Sequence, residues 1–329
     1  MAGLSVGKDK RMIRVGAVNI DTSHPMGFAE AMKKDGRMGY VGVYNDSFRC
    51  DAEVEGFITR YGLEKRCADL EELARMCDVG FIHGCNWDDH LRCARPFLAC
   101  GKPVFIDKPM VGSASDCRQV RELAKAGAVI LGASSARYAG EIQDFLNRDP
   151  SERGNIVTVY GTAGVDEFNY GIHIVEAIGG IMGQGADYVK YIGSGERDGQ
   201  TGKSFYVHFQ DGRSAMYTTL TGSWQRFALQ VLTTRTTCQL LIDPAGTYDA
   251  LIGQIANYME GKPHLLAGPE ALLESVEIML AGAVSSMAGG KAVRLDSLEK
   301  GNACFDGTKF REGYCEASGP MYAVDTGKD

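Results

Sequence analysis

Apolar residues in the first part of the chain come in short unbroken runs at 12–20, 40–44, 79–83, 104–106 and 128–131, each bounded by Gly, Pro or polar residues. Such runs are the pattern of strands covered on both faces. Between them, 26–34, 52–61, 70–76, 91–99 and 114–126 repeat apolar residues with helical spacing. Strands alternating with helices predict βαβ units wound right-handedly into a doubly wound parallel sheet. The pattern changes after Asp149-Pro150. Segments 155–160, 188–193, 204–210, 214–220 and 227–242 read as strands joined by turns such as Asp211-Gly212, with Phe205, Val207 and Phe209 alternating onto one side. Helices are expected at 168–181, 248–260 and 269–287. The fold class is therefore α/β followed by an α+β domain with a largely antiparallel open sheet. The expected domains are 1–136 and 137–329, with a terminal helix able to pack back on the first.

Composition narrows the partners rather than the fold. A chain of 329 residues, 44% hydrophobic and 23% charged, has ample material for two cores. Its net charge of −7 argues against nucleic acid or an anionic membrane as partner. No stretch approaches the roughly 20 apolar residues of a membrane span, and Met1–Arg11 lacks a signal-peptide core. Ten cysteines with no Cys-x-x-Cys pair predict reduced thiols in a cytoplasmic protein. The uncovered face of the second sheet predicts a homo-oligomer assembled through it.

The chemistry is organised around Gly101–Met110. Strand 104–106 ends in Asp107-Lys108-Pro109, and ligands of open α/β sheets bind outside the carboxyl ends of the strands. Pro109 confines Lys108 to extended backbone, so this strand delivers a lysine to a site mouth. Strand 12–20 should then run into Gly-x-Gly-x-x-Gly if a dinucleotide is bound. Instead Asn19, Asp21 and His24 stand where the glycines belong, with Thr22 or Ser23 ending the loop and Pro25 opening a helix. Asp21 is expected either to cap backbone or to repel a diphosphate. After the second strand, Asn45 or Asp46 is placed to bond adenosine ribose hydroxyls, which favours NAD over NADP.

Asn169-Tyr170-Gly171-Ile172-His173 opens the first helix of the second domain. Four residues apart on one helical face, Asn169 would position His173, which suits acid/base chemistry; Asp166 would lie a turn earlier. Lys108 and His173 then form an amine–imidazole pair for one substrate hydroxyl. Asp21, His24, His83 and Cys85 end two neighbouring strands, but their spacing is no metal signature, and no metal is assigned.

With these segments in order, the chain resembles the Gfo/Idh/MocA family of glucose–fructose oxidoreductases and inositol dehydrogenases. Asp107-Lys108-Pro109 is similar to that family's Glu-Lys-Pro segment with its catalytic lysine. Asn169-x-Gly171-x-His173 is similar to its Asp-x-Gly-x-His, Asn86 to His90 to its Thr-Pro-Asn-x-x-His loop, and Arg137-Tyr138 to its crossover. Residues 271–295 resemble its returning helix and final Gly-x-x-Val-Arg-Leu. The resemblance implies a Rossmann-like first domain that takes NAD or NADP, and a homodimer or homotetramer. It implies catalysis by Lys108, His173 and Asn169, and cofactor contacts from Asn19, Asp21, Thr22, Ser23, His24, Asn45, Asp46, Asn86, His90, Asp107 and Lys108. Tyr170, Arg137 and Asp166 are the candidate substrate contacts. Two departures stand out: the glycine fingerprint is replaced, and the family's catalytic Asp is Asn169.

The leading expectation is an NAD(P)-dependent oxidoreductase acting on a hydroxyl or keto group of a sugar, inositol or related polyol. The missing glycines motivate an alternative on the same fold, a lyase, isomerase or hydrolase of keto-sugars. A non-catalytic binding subunit is the third, against which Lys108 and His173 stand together.

Overall fold

The computed structural model describes residues 11–300 and 303–321; residues 1–10, most of the stretch read above for a signal peptide, lie outside these. The first half is a six-stranded, all-parallel sheet in the order β3-β2-β1-β4-β5-β6. Its strands are β1 (Ile13–Val18), β2 (Met38–Tyr44), β3 (Lys65–Arg66), β4 (Val79–Ile82), β5 (Val104–Asp107) and β6 (Ile130–Ala133). The order reverses between β1 and β4, so the crevice where a ligand belongs opens at their carboxyl ends. β4, β5 and β6 are buried along their whole length, which is why they read as continuous apolar runs.

Helix His24–Asp35 begins with Pro25 in its first turn and stops at Gly36, whose φ of 77° suits glycine and whose N–H returns to the Met32 carbonyl. Its apolar face carries Phe28, Ala29 and Met32. That face is shared with Leu251, Ile252, Ile255 and Ala256 of helix Pro244–Met259, from the other half of the chain.

The second sheet has seven strands in the order β12-β11-β7-β10-β9-β8-β13. They are β7 (Ile156–Val165), β8 (Ala186–Arg197), β9 (Gln200–Phe209), β10 (Ser214–Thr221), β11 (Ala228–Thr233), β12 (Thr237–Leu241) and β13 (Val293–Arg294). All neighbours are antiparallel except β7 and β10, which run parallel. Phe205, Val207 and Phe209 are fully buried, in one core with helices Gly171–Met182 and Pro269–Met287. Gly282 lets the latter helix approach closely, since a Cβ there would stand 2.7 Å from the Tyr217 hydroxyl. The opposite face carries the row Gln230, Tyr160, Met216, Tyr206 and Lys190, paired in register across five strands.

Three sequence expectations are corrected. The single strand at 227–242 is a hairpin, β11 and β12, turned at 234–236 where Thr233 Oγ1 accepts from the Arg235 and Thr236 amides. Helix Gly171–Met182 starts three residues after the expected 168, because Asp166 Oδ1 takes the Tyr170 amide and holds 166–170 as a turn. Helix Gly307–Ala317, with Asp306 accepting from the Lys309 amide, was not expected from the pattern.

Candidate active site

Lys108 follows β5 directly, and its Nζ donates to Asn169 Oδ1 at 2.9 Å and to the Asn169 carbonyl at 3.2 Å. The same Nζ lies 5.4 Å from the centre of the Tyr170 ring. Burial lowers the Lys108 pKa, with Asp107 and Asp166 opposing the shift. Because Asn169 precedes the helix, it does not share a helical face with His173, correcting its expected role: it holds Lys108. Ser134, just past β6, holds His173 instead, its Oγ 2.7 Å from Nδ1. That leaves Nε2 for a ligand. Burial, then the charge of Lys108 and His24, keeps the His173 imidazole well below the usual range, so it is neutral at pH 7.

Asp107 is the hub of a buried network. Its Oδ2 stands 2.9 Å from both His24 Nδ1 and His83 Nδ1, and its Oδ1 accepts from the Lys108 amide at 2.8 Å. Tyr40 OH lies 2.7 Å from His83 Nε2. One assignment satisfies every partner: Tyr40 donates to His83, and both imidazole Nδ1–H groups donate to an ionised Asp107. Burial pushes the Asp107 carboxyl up, but the two imidazoles outweigh it and hold it well below the carboxylate range. Burial lowers His83 despite Asp107, in keeping with a neutral ring.

His24, Tyr170, His173, Arg226, Phe227 and Tyr248 line a cavity of about 160 Å³, and the rings of His24 and His173 are 6.3 Å apart. Ser23 lines it as well. The structure thus brings His173, Tyr170 and His24 around one space, with Lys108 and Asn169 beside the Tyr170 ring rather than on the cavity wall. Asp166 stands behind them, bonded to Asn169 and the Tyr170 amide. Arg137 does not reach the cavity; buried, it pairs with Glu176 at 3.2 Å and donates to Ser275 Oγ and the Ala271 carbonyl. Reading the sequence alone missed Ser134 and the Asp107–His24 pair, although Ser134 ends a strand on the site edge of the sheet.

A second, polar cavity of about 140 Å³ lies at the ends of β1, β2 and β4, lined by Asn19, Asp46, Ser47, Asn86, Arg92 and Arg311 among others. It sits where a dinucleotide's phosphates and adenosine ribose belong. Asn19 has φ 61°, so an asparagine makes the left-handed turn that the first fingerprint glycine would make. Its Oδ1 accepts from the Asp46 amide at 3.0 Å, and Asn45 Oδ1 accepts from the Ile20 amide, locking the two loops together. Asp46 pairs with Arg92 at 2.9 Å. The turn is kept and its walls are polar, which fits a dinucleotide. Asp21 is fully buried; its Oδ2 accepts from the Cys85 amide at 2.9 Å, and burial raises its pKa. Thr22 Oγ1 accepts from the His24 amide, and Asn86 caps the turn that follows it. His90 is a brace, with both ring nitrogens against backbone carbonyls of Met110 and Gly84. Among the described residues, no three His, Cys, Asp or Glu side chains are arranged to hold a metal ion, and no helix is long and apolar enough to cross a membrane.

Residues 15–135 match the model of the oxidoreductase family GFO_IDH_MocA, NAD-binding Rossmann fold. No curated protein matches the chain. Among solved structures, scyllo-inositol dehydrogenase from Lactobacillus casei with NAD(H) and scyllo-inositol is 12% identical at a TM-score of 0.72, covering 87% of this chain and 100% of its own. GenD2 from gentamicin A biosynthesis, in complex with NAD, is 17% identical at 0.71, with 89% and 99% covered. An oxidoreductase from Thermotoga maritima is 17% identical at 0.71, with 88% and 100% covered. At these identities the likeness is one of fold, and it covers 87–89% of this chain.

Proposed function

We propose that this protein is an NAD-dependent oxidoreductase interconverting a secondary hydroxyl and a ketone on an inositol, sugar or related polyol. The observation that carries this reading is that Tyr170 and the neutral His173 line one small cavity beside the dinucleotide crevice, with Lys108 Nζ 5.4 Å from the Tyr170 ring and its charge felt by His173. A nicotinamide bound there supplies the two-electron acceptor or donor. His173 Nε2 takes the hydroxyl proton in oxidation and returns it in reduction. Lys108 Nζ, held by Asn169, donates a hydrogen bond to the same oxygen as it gains charge. Ser134 fixes the imidazole. NAD is favoured over NADP by the Asp46 carboxylate at the end of β2. A second copy of the chain would pair across the Tyr160–Met216–Tyr206 face; a concentration-independent mass of 35.6 kDa in solution would refute that.

Dinucleotide reduction with a panel of inositols and aldoses tests the reading. Lys108→Ala and His173→Ala should each lose turnover by about 100-fold or more with the fold intact. One observation favours a second reading: His24, oriented by Asp107, is a second imidazole on the same cavity. Two imidazoles suit a non-redox proton transfer on a keto-sugar. Exchange of substrate carbon-bound hydrogen with deuterated water, with no dinucleotide bound or added, would favour it.

A further inference from the structure

The segment 303–321 crosses the crevice at the carboxyl ends of the first sheet. At one side Asp88 Oδ2 accepts from the Gly307 and Thr308 amides at 3.0 and 3.1 Å, and Trp87 Nε1 donates to the Phe305 carbonyl at 2.8 Å. A Cβ on Gly307 would come within 2.5 Å of Asn86 Oδ1, so the helix start is seated directly on the loop after β4. At the other side Arg49 donates to the Gly319 carbonyl at 2.9 Å, and the Met321 amide donates to Glu53 Oε1 at 2.7 Å. Between these anchors Arg311 lines the polar cavity. The other lining cation, Arg92, is paired with Asp46 and Asp89, whereas no carboxylate among the described residues pairs with Arg311. Asp46 and Asp89, both paired with Arg92, also line the cavity, as does the buried Asp21, whose Oδ1 has no hydrogen-bond partner.

A half-buried guanidinium without a counter-charge, facing a polar cavity at the ends of β1, β2 and β4, is a site for an anion. The glycine fingerprint normally brings backbone amides to the diphosphate there. We propose that Arg311 binds the diphosphate of the dinucleotide, and that segment 303–321 is the roof of its site. The proposal rests on the dinucleotide reading above. The cation replaces what the loop has lost with its glycines, and it offsets Asp21 should that carboxyl ionise.

The test is titration of the full chain with NADH, ADP and adenosine. Arg311→Gln should weaken NADH and ADP about tenfold or more and leave adenosine unchanged; Arg311→Lys should fall between. Lys309→Gln, on an exposed position of the same helix, should bind NADH as the wild type does. The salt dependence of NADH binding should be shallower in Arg311→Gln. Wild type and Arg311→Gln binding NADH equally would overturn the proposal while leaving the dinucleotide reading intact. Tighter binding by Arg311→Gln would also overturn it and make the segment a competitor for the crevice. A wild type that binds neither NADH, NADPH nor ADP would remove the dinucleotide reading and this proposal together.

Discussion

His24 Nδ1 and Asp107 Oδ2 stand 2.9 Å apart, tying the loop after β1 to the residue immediately before the site lysine. One buried carboxylate thus fixes the backbone of Lys108 and the ring of His24 at once. Asp107→Asn removes the charge beneath two imidazoles. Hydrogen bonds to a charged group contribute about 1.5–3 kcal/mol, so urea unfolding should show a loss of at least that size. A loss below about 1 kcal/mol would mean that His24 and His83 do not depend on the charge.

His173 titrates against the fold. Its folded-state pKa lies well below the ordinary imidazole value of about 6.5, so between the two the unfolded chain holds more protons. Its contribution to stability is complete above that ordinary value and shrinks as pH falls beneath it, by about 1.4 kcal/mol per pH unit. The stability difference between wild type and His173→Gln should fall with that slope below the same point. Urea denaturation at stepped pH measures it; a pH-independent difference would place a proton on the buried ring.

Asn169→Asp puts a carboxylate where Oδ1 now receives Lys108 Nζ at 2.9 Å. The new charge favours the ammonium, opposing the burial that now lowers it. The basic limb of the pH profile of kcat/KM should move upward by about one unit or more. An unmoved limb would show that another group sets it.

Asp21→Asn keeps an acceptor for the Cys85 amide and removes a carboxyl whose pKa is raised by burial. An acid raised on folding loses stability as pH climbs from its unfolded value through its folded one. The variant should therefore gain on the wild type as pH rises above the unfolded carboxyl value of about 4. It should bind NADH at least as tightly, since repulsion of the diphosphate disappears. Weaker NADH binding would give Asp21 a direct role in holding the ligand.

The parallel half was legible because β4, β5 and β6 are covered on both faces and leave unbroken apolar runs. The Lys108 and His173 positions followed from strand ends and a helix start. What was hidden depended on tertiary context. The β11–β12 turn carries no Gly or Pro at 234–236, only Thr233 folding its hydroxyl back, so it read as continuous strand. Helix Gly307–Ala317 has an apolar side too sparse to announce itself, and it earns its place through Asp88 and Trp87. The partners of Asp107 come from residues 83 and 24 positions away, a distance no local pattern spans.

Helix Pro244–Met259 closes the core beside helix His24–Asp35, with Tyr248 against Phe28, Lys34 paired with Asp249, and Arg37 reaching Asn257 and Glu260. During synthesis, the ribosome must therefore release most of the chain before the first sheet can finish its core. The opening half, complete in strands once Ala133 has emerged, waits with Phe28 and Met32 incompletely covered until residues 251–256 arrive. Its last layer is made by the part of the message that encodes the other half.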